Sequence, residues 1–344
     1  MNAPTLDSSM DFTAFVEWRR AQRAMHTDLI DVAETRIVQA LAPLRPDVVV
    51  PDTFPRVHRC HLAPVWCELR GLPAELAPRA FACDGVRHGI ELLLRAFAQA
   101  GRRVALPGDV YPVYWRIAAA AEVAASALDT FPDFDLARLL GQAVSDGASV
   151  VLLPAPLKLH GRAWTEDEVD VAIRWLAQDG ERRLMLDGVY AFGQPLDPAM
   201  LRLIATDQVF YLDSLSKGWL HELVFGMALV PERDRESLQD IFRALHPTQR
   251  QLFQARELMT RFRDFPARLA DELATHRAGL IRRLAEAGVT ARPAAQGYLI
   301  VIPSDARALL ADHRVLALPA SVFGSARTDL SIASALPTAA TMTP

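Results

Sequence analysis

Apolar and polar positions fall into short blocks along this chain, and the blocks predict alternating strands and amphipathic helices. Residues 85–100 place Ile90, Leu93, Leu94 and Phe97 at helical spacing. Residues 103–106 predict a short strand and residues 114–121 a helix. Residues 150–153 form an apolar strand ended by Pro154 and Pro156. Residues 165–178 predict an amphipathic helix opened by the capping sequence Thr165-Glu166-Asp167-Glu168. Residues 184–186 and 208–212 are two further strands. Short, wholly apolar strands between helices imply a mostly parallel sheet covered on both faces, an α/β three-layer αβα arrangement.

The ends of the chain read differently. Residues 1–10 look disordered. Residues 11–42 are helical material interrupted at 29–32. Prolines 43, 46, 51, 55 and 64 make residues 43–64 an extended connector. Residues 232–287 are charged and helical, with Pro247 and Pro266 as breaks. Residues 297–302, 315–318 and 330–332 then read as strands of a smaller α+β domain. The expected organisation is an N-terminal segment 1–45 that packs with the small domain, a large domain 46–250, and a small domain 251–344.

With 51% hydrophobic residues among 344, the chain has ample material for a core. A net charge of −4 creates no field that would attract nucleic acid or anionic lipid. Arginine greatly outnumbers lysine. The first residues lack a basic start and apolar run, and no stretch approaches the roughly 20 apolar residues needed to span a bilayer. The expectation is a soluble, cytoplasmic protein. Its three cysteines, Cys60, Cys67 and Cys83, do not suggest a disulfide framework. Cys60 and Cys67, with His58 and His61 nearby, lack the paired short spacing of structural zinc, so no metal is expected.

Three motifs follow predicted strands, where open α/β sheets bind ligands. Asp187-Gly188-Val189-Tyr190 places an acid at a strand end, a position that suits catalysis and equally suits a turn or helix cap. Ser214-Leu215-Ser216-Lys217 places a lysine there. Burial would lower its pKa and make it a competent nucleophilic amine, whereas exposure would leave it an ordinary turn residue. Tyr111, after residues 103–106, can stack on a planar ring or pack in the core.

Together at this spacing the motifs resemble the fold-type I pyridoxal-phosphate (PLP) family, and more closely the class I/II aminotransferases. The resemblance covers roughly residues 29–335. Weaker echoes flank it: Ile30-Asp31-Val32-Ala33-Glu34-Thr35-Arg36, as near aminocyclopropane-carboxylate synthases; Cys83-Asp84-Gly85-Val86-Arg87-His88; and the segment Val315 to Gly324. The resemblance implies a PLP-dependent-transferase-like large domain, with pyridoxal 5'-phosphate held as a Schiff base by Lys217. Asp187 would pair with the pyridine nitrogen, Tyr190 would donate to the ring's phenolic oxygen, and Tyr111 would stack on the ring. Gly85, Val86 and Arg87 at a helix start, with Ser214 and Ser216, would hold the phosphate. It also implies a homodimer and a small amino acid or amine substrate.

Several positions depart from the family pattern. Lys158 stands where an asparagine usually contacts the ring oxygen. The stretch after Lys217 lacks the usual phosphate arginine; His221 is its only possible cation, and Arg87 would supply the charge instead. Asp329 aligns with the arginine that grips the substrate carboxylate, with Arg327 two residues earlier. The implied function is therefore an aminotransferase of specialised metabolism. The alternatives are a PLP-dependent lyase, cyclase or replacement enzyme, or a non-catalytic relative.

Overall fold

The computed structural model describes residues 10–338; the disorder expected for the first residues lies outside that range. Strand β1 (Ile30–Asp31) comes first. Then β2 (Ala80–Cys83), β3 (Val104–Pro107), β4 (Ala125–Leu128), β5 (Val150–Pro154), β6 (Arg183–Asp187), β7 (Val209–Ser214) and β8 (Gly226–Leu229) build one seven-stranded sheet. Its order is β2-β8-β7-β6-β5-β3-β4. β8 runs antiparallel to both its neighbours, and the pairs from β7 to β4 are parallel.

β3, β5, β6, β7 and β8 are buried along their whole length, as strands covered on both faces must be. The helices between them include Gly85–Gln99, Val113–Ala120, Glu166–Ala177 and Pro198–Ile204. Helix Gly85–Gln99 approaches β7 so closely that a Cβ at Gly89 would lie 2.6 Å from the Leu212 side chain. Thr165 and Glu168 close the capping box that their spacing predicts: the Thr165 hydroxyl accepts from the Glu168 N–H and the Glu168 carboxylate accepts from the Thr165 N–H.

The C-terminal strands are β9 (Leu299–Ile302), β10 (Val315–Leu316), β11 (Leu318–Pro319) and β12 (Ser331–Ser334). β11, β12 and β9 form a three-stranded antiparallel sheet. β1 pairs in parallel with β10, so the N-terminal segment is tied to the C-terminal part of the chain. The large sheet uses strands from residues 80 to 229 and the small sheet strands from 299 to 334.

Some elements differ from the expectation. β2 and β4 consist largely of small residues with weak strand preference and form because β8 and β3 offer paired edges. A helix, Leu62–Arg70, begins inside the stretch expected to be extended. Pro266 marks the break between helices Gln249–Thr260 and Phe265–Glu286: it sits in the first turn of the second, where its missing N–H is harmless. Pro247 likewise falls between two helices, Glu232–Arg243 and Gln249–Thr260. Among the described residues no helix is long and apolar enough to cross a membrane, and no cluster of His, Cys, Asp or Glu would hold a metal ion.

Candidate active site

Four parallel strands deliver their C-terminal ends to one edge of the large sheet. Tyr111 follows β3, Lys158 follows β5, Asp187 ends β6 with Tyr190 just beyond, and Lys217 lies on the short helix Leu215–Gly218 after β7. Parallel direction is what gathers these residues, since the C-terminal ends of parallel strands share one edge. The turn after β6 requires glycine at position 188, because a Cβ there would overlap the hydroxyl and ring of Tyr211. After β7, the Ser214 hydroxyl accepts from the Ser216 N–H and lies 2.8 Å from the Ser216 hydroxyl, which starts the helix that carries Lys217.

Asp187 is buried. The Tyr114 hydroxyl donates to its Oδ2 at 2.6 Å and the Val189 N–H donates to its Oδ1 at 3.0 Å. Burial raises the proton affinity of its carboxyl, against the pull of these two donors and of Lys158 and Lys217. Burial lowers the proton affinity of the Lys217 amine, and the Arg87 guanidinium lowers it further, while Asp187 opposes both. The Lys217 Nζ lies 5.5 Å from the centroid of the Tyr190 ring. The Tyr190 hydroxyl, pushed up to about 12 by burial, meets the Tyr298 hydroxyl at 3.3 Å, and Tyr298 donates to the Thr35 carbonyl at 3.1 Å. Through Tyr298, Tyr190 is linked to Thr35 in the N-terminal segment.

Tyr111 stands edge-on to Tyr114 at 5.0 Å and accepts a 2.8 Å hydrogen bond from Nε of Arg87. The Lys158 Nζ sits 3.9 Å from the Tyr111 ring centroid. Gly85 opens helix Gly85–Gln99 with φ of +77°, in the left-handed region that favours glycine, and Val86 is buried behind it. That helix has no acid in its first turn, and the Asp84 side chain does not cap it.

Three other candidates make no hydrogen bond or ion pair to Lys217, Asp187 or Tyr190 among the described residues. Arg327 and Asp329 bind one another, with Nε to Oδ1 at 2.7 Å, and their side chains are 46% and 62% exposed. His221 has its Nδ1 engaged as the acceptor of the Leu223 N–H at 3.0 Å, and burial lowers its proton affinity, so this ring is a neutral acceptor.

The sequence reading missed three supports. Tyr114 follows Tyr111 at helical spacing, a signal that was available. Tyr298 gave none. Asp213, just before the lysine motif, accepts from Nε1 of Trp66 at 2.8 Å, from Nε of Arg70 at 2.7 Å and from the Ser214 N–H at 2.7 Å. Its side-chain partners, Trp66 and Arg70, lie far away in sequence, so no local pattern announces them.

No family model matches the sequence, and no curated protein sequence matches it. Solved structures do. The Escherichia coli protein YbdL, identified as a methionine aminotransferase, is 18% identical with a TM-score of 0.72, covering 98% of this chain and 97% of that one. An aspartate aminotransferase mutant from Thermus thermophilus is 15% identical with a TM-score of 0.71, covering 98% and 94%. A PLP-bound C–S lyase from Staphylococcus hominis is 14% identical with a TM-score of 0.65, covering 88% and 80%. At such low identity the likeness speaks for architecture: nearly the whole chain adopts the fold shared by these aminotransferases and this lyase.

Proposed function

We propose that this chain is a pyridoxal-5'-phosphate enzyme acting on an amino acid or related amine, most simply an aminotransferase of specialised metabolism. The observation that carries the reading is a partly buried lysine, Lys217, just past β7, the strand neighbouring β6, which ends in the buried carboxylate Asp187. The aminotransferases and the C–S lyase that share the fold support it.

The residues fit that cofactor. An aldehyde needs an unprotonated amine, and burial favours that form of Lys217. A pyridine nitrogen needs an acid to hold its proton, and each Asp187 oxygen still has a free lone pair beyond its one donor. A phosphate needs donors: the uncapped first turn of helix Gly85–Gln99, at Gly85, Val86 and Arg87, offers N–H groups, and Ser214 and Ser216 offer hydroxyls. Arg87 is the nearby cation, and Tyr111 offers a ring face for stacking. When bound, the cofactor supplies an electron sink for the carbanion at the substrate α-carbon. Lys217 would take and return the α-proton, Asp187 would keep the ring nitrogen protonated, and Tyr190 would donate to the ring oxygen by turning its hydroxyl from Tyr298.

The second reading is a lyase, cyclase or replacement enzyme on the same cofactor. The Arg327–Asp329 pair favours it, because an arginine neutralised at the surface does not grip a substrate carboxylate in the usual way. In either reading the protein is a cytoplasmic homodimer. Val49 and Val224, apolar and 67% and 59% exposed, suit a subunit interface, and a single-chain mass on size exclusion would contradict it.

The test is borohydride reduction of the PLP-loaded protein followed by peptide mass analysis. A phosphopyridoxyl mark is expected on Lys217, and an unmarked Lys217 peptide refutes the reading. Incubation with amino acids then separates the two readings: a transaminase leaves the amino group on the cofactor, whereas a lyase releases it as ammonia and a cyclase or replacement enzyme keeps it in the product, with the cofactor returned to its aldehyde form.

A further inference from the structure

The chain contains 37 lysines and arginines, and only two of them, Lys158 and Lys217, are lysines. Both lie at the C-terminal edge of the large sheet, in the candidate site. Arginine serves as well as lysine at ordinary surface and ion-pair positions, and this chain uses arginine at every one. What arginine cannot do is lose its proton. Lysine therefore occurs only where an amine is available inside the site.

Lys158 is 7% exposed. Among the described residues no carboxylate or carbonyl forms a hydrogen bond or ion pair with it. Its nitrogen rests on ring faces, 3.9 Å from the centroid of Tyr111 and 5.5 Å from that of Tyr190. The Lys217 nitrogen is also 5.5 Å from the Tyr190 centroid, so the two amines share one ring. A buried, unpaired amine is an unusual tenant of a protein interior, since lysine is almost never fully buried without a partner.

We propose that Lys158 is a deprotonable amine of this site whose charge is coupled to that of Lys217 across the Tyr190 ring. The inference rests on the assignment of Lys217 as the cofactor-binding amine. The groups facing Lys158 are Asp187 at the end of β6, Lys217 after β7, Arg87 in the first turn of helix Gly85–Gln99, and the Tyr111 and Tyr190 rings. Burial brings its proton affinity down, Asp187 raises it, and Lys217 and Arg87 lower it, leaving it at about 7. At that value Lys158 changes charge near neutrality, and the two amines titrate as a coupled pair. A proton on Lys158 disfavours a proton on Lys217; its loss relieves the repulsion. Lys158 is thus a positioning residue that acts through Lys217.

The test compares wild type with Lys158→Met and Lys158→Arg. Methionine fills similar volume without charge, and arginine keeps the charge at every working pH. The visible absorbance of the PLP-loaded proteins is titrated with pH, and borohydride mapping of each confirms which lysine carries the cofactor. With only two lysines in the chain, the mapping is unambiguous. Competitive labelling of the cofactor-free proteins with acetic anhydride across pH gives a second readout, of the Lys217 amine itself. Wild type is expected to titrate in two overlapping steps. Lys158→Met should give one step, with the Lys217 midpoint raised by about one pH unit. Lys158→Arg should also give one step, with the midpoint kept low. Lys217 marked in all three proteins, with midpoints identical in both readouts, overturns the inference and leaves the cofactor assignment standing. Lys217 unmarked in wild type overturns the cofactor assignment, and the inference falls with it.

Discussion

The hydroxyl of Tyr114 donates to Oδ2 of Asp187 across 2.6 Å, joining the first turn of the helix after β3 to the end of β6 inside the core. This bond holds the carboxylate rotamer and favours its charged form, against the burial that raises its proton affinity. Tyr114→Phe should weaken PLP binding by about tenfold, the worth of one hydrogen bond to a charged acceptor. Equilibrium titration of the cofactor by absorbance measures this, and an unchanged affinity would remove Tyr114 from the support of Asp187.

Gly188 has an ordinary φ of −85°, so its requirement is steric: a Cβ would run into the Tyr211 ring and hydroxyl. Gly188→Ala must push either Tyr211 or the turn that carries Tyr190. A stability loss of about 2 kcal/mol is expected in urea unfolding, with weakened PLP binding. Wild-type values of both would show that the turn has room to move.

Arg70 and Asp213 are buried together under the Lys217 helix, with Trp66 and the Ser214 N–H completing the carboxylate's partners. Removing one member strands a charge in the interior. Arg70→Ala should cost about 3–5 kcal/mol in denaturant unfolding. Asp213→Asn, which keeps the shape, tests whether the charge or the hydrogen bonds matter more.

Glu34 is buried beside Arg36 and Arg19. Burial alone would raise its carboxyl, but hydrogen bonds and charge from the two arginines outweigh it and bring it from 4.5 down to about 2. A carboxyl depressed in the folded state contributes stability above its unfolded value and loses it as pH falls through the folded one. The Glu34 contribution should therefore be complete above about pH 4.5 and fade towards pH 2. With Arg36 open to solvent it amounts to about 1–2 kcal/mol. Acid unfolding of Glu34→Gln should start from lower stability and show a shallower decline over that interval; a parallel decline would contradict the assignment.

Much of the architecture was legible because it is local. The apolar runs at 150–153, 184–186 and 208–212 each became a buried parallel strand, since only a strand covered on both faces tolerates such runs. The small-residue strands β2 and β4 were not legible. Alanine, serine and cysteine carry little strand preference, and those segments owe their form to partners far along the chain.

For the site, the sequence by itself determined which residues stand at strand ends: Tyr111, Lys158, Asp187 and Tyr190, and Lys217. Once those strands are parallel, one edge must gather them. Only the tertiary structure decided what each one meets. It set Tyr114 on Asp187, Arg70 and Trp66 on Asp213, Tyr298 on Tyr190, and Arg327 on Asp329 at the surface. Strand position follows from short-range hydrophobic pattern, whereas these contacts join residues distant in sequence or depend on how a surface segment lies. Their energies come from burial and hydrogen-bond geometry, which no spacing along the chain encodes.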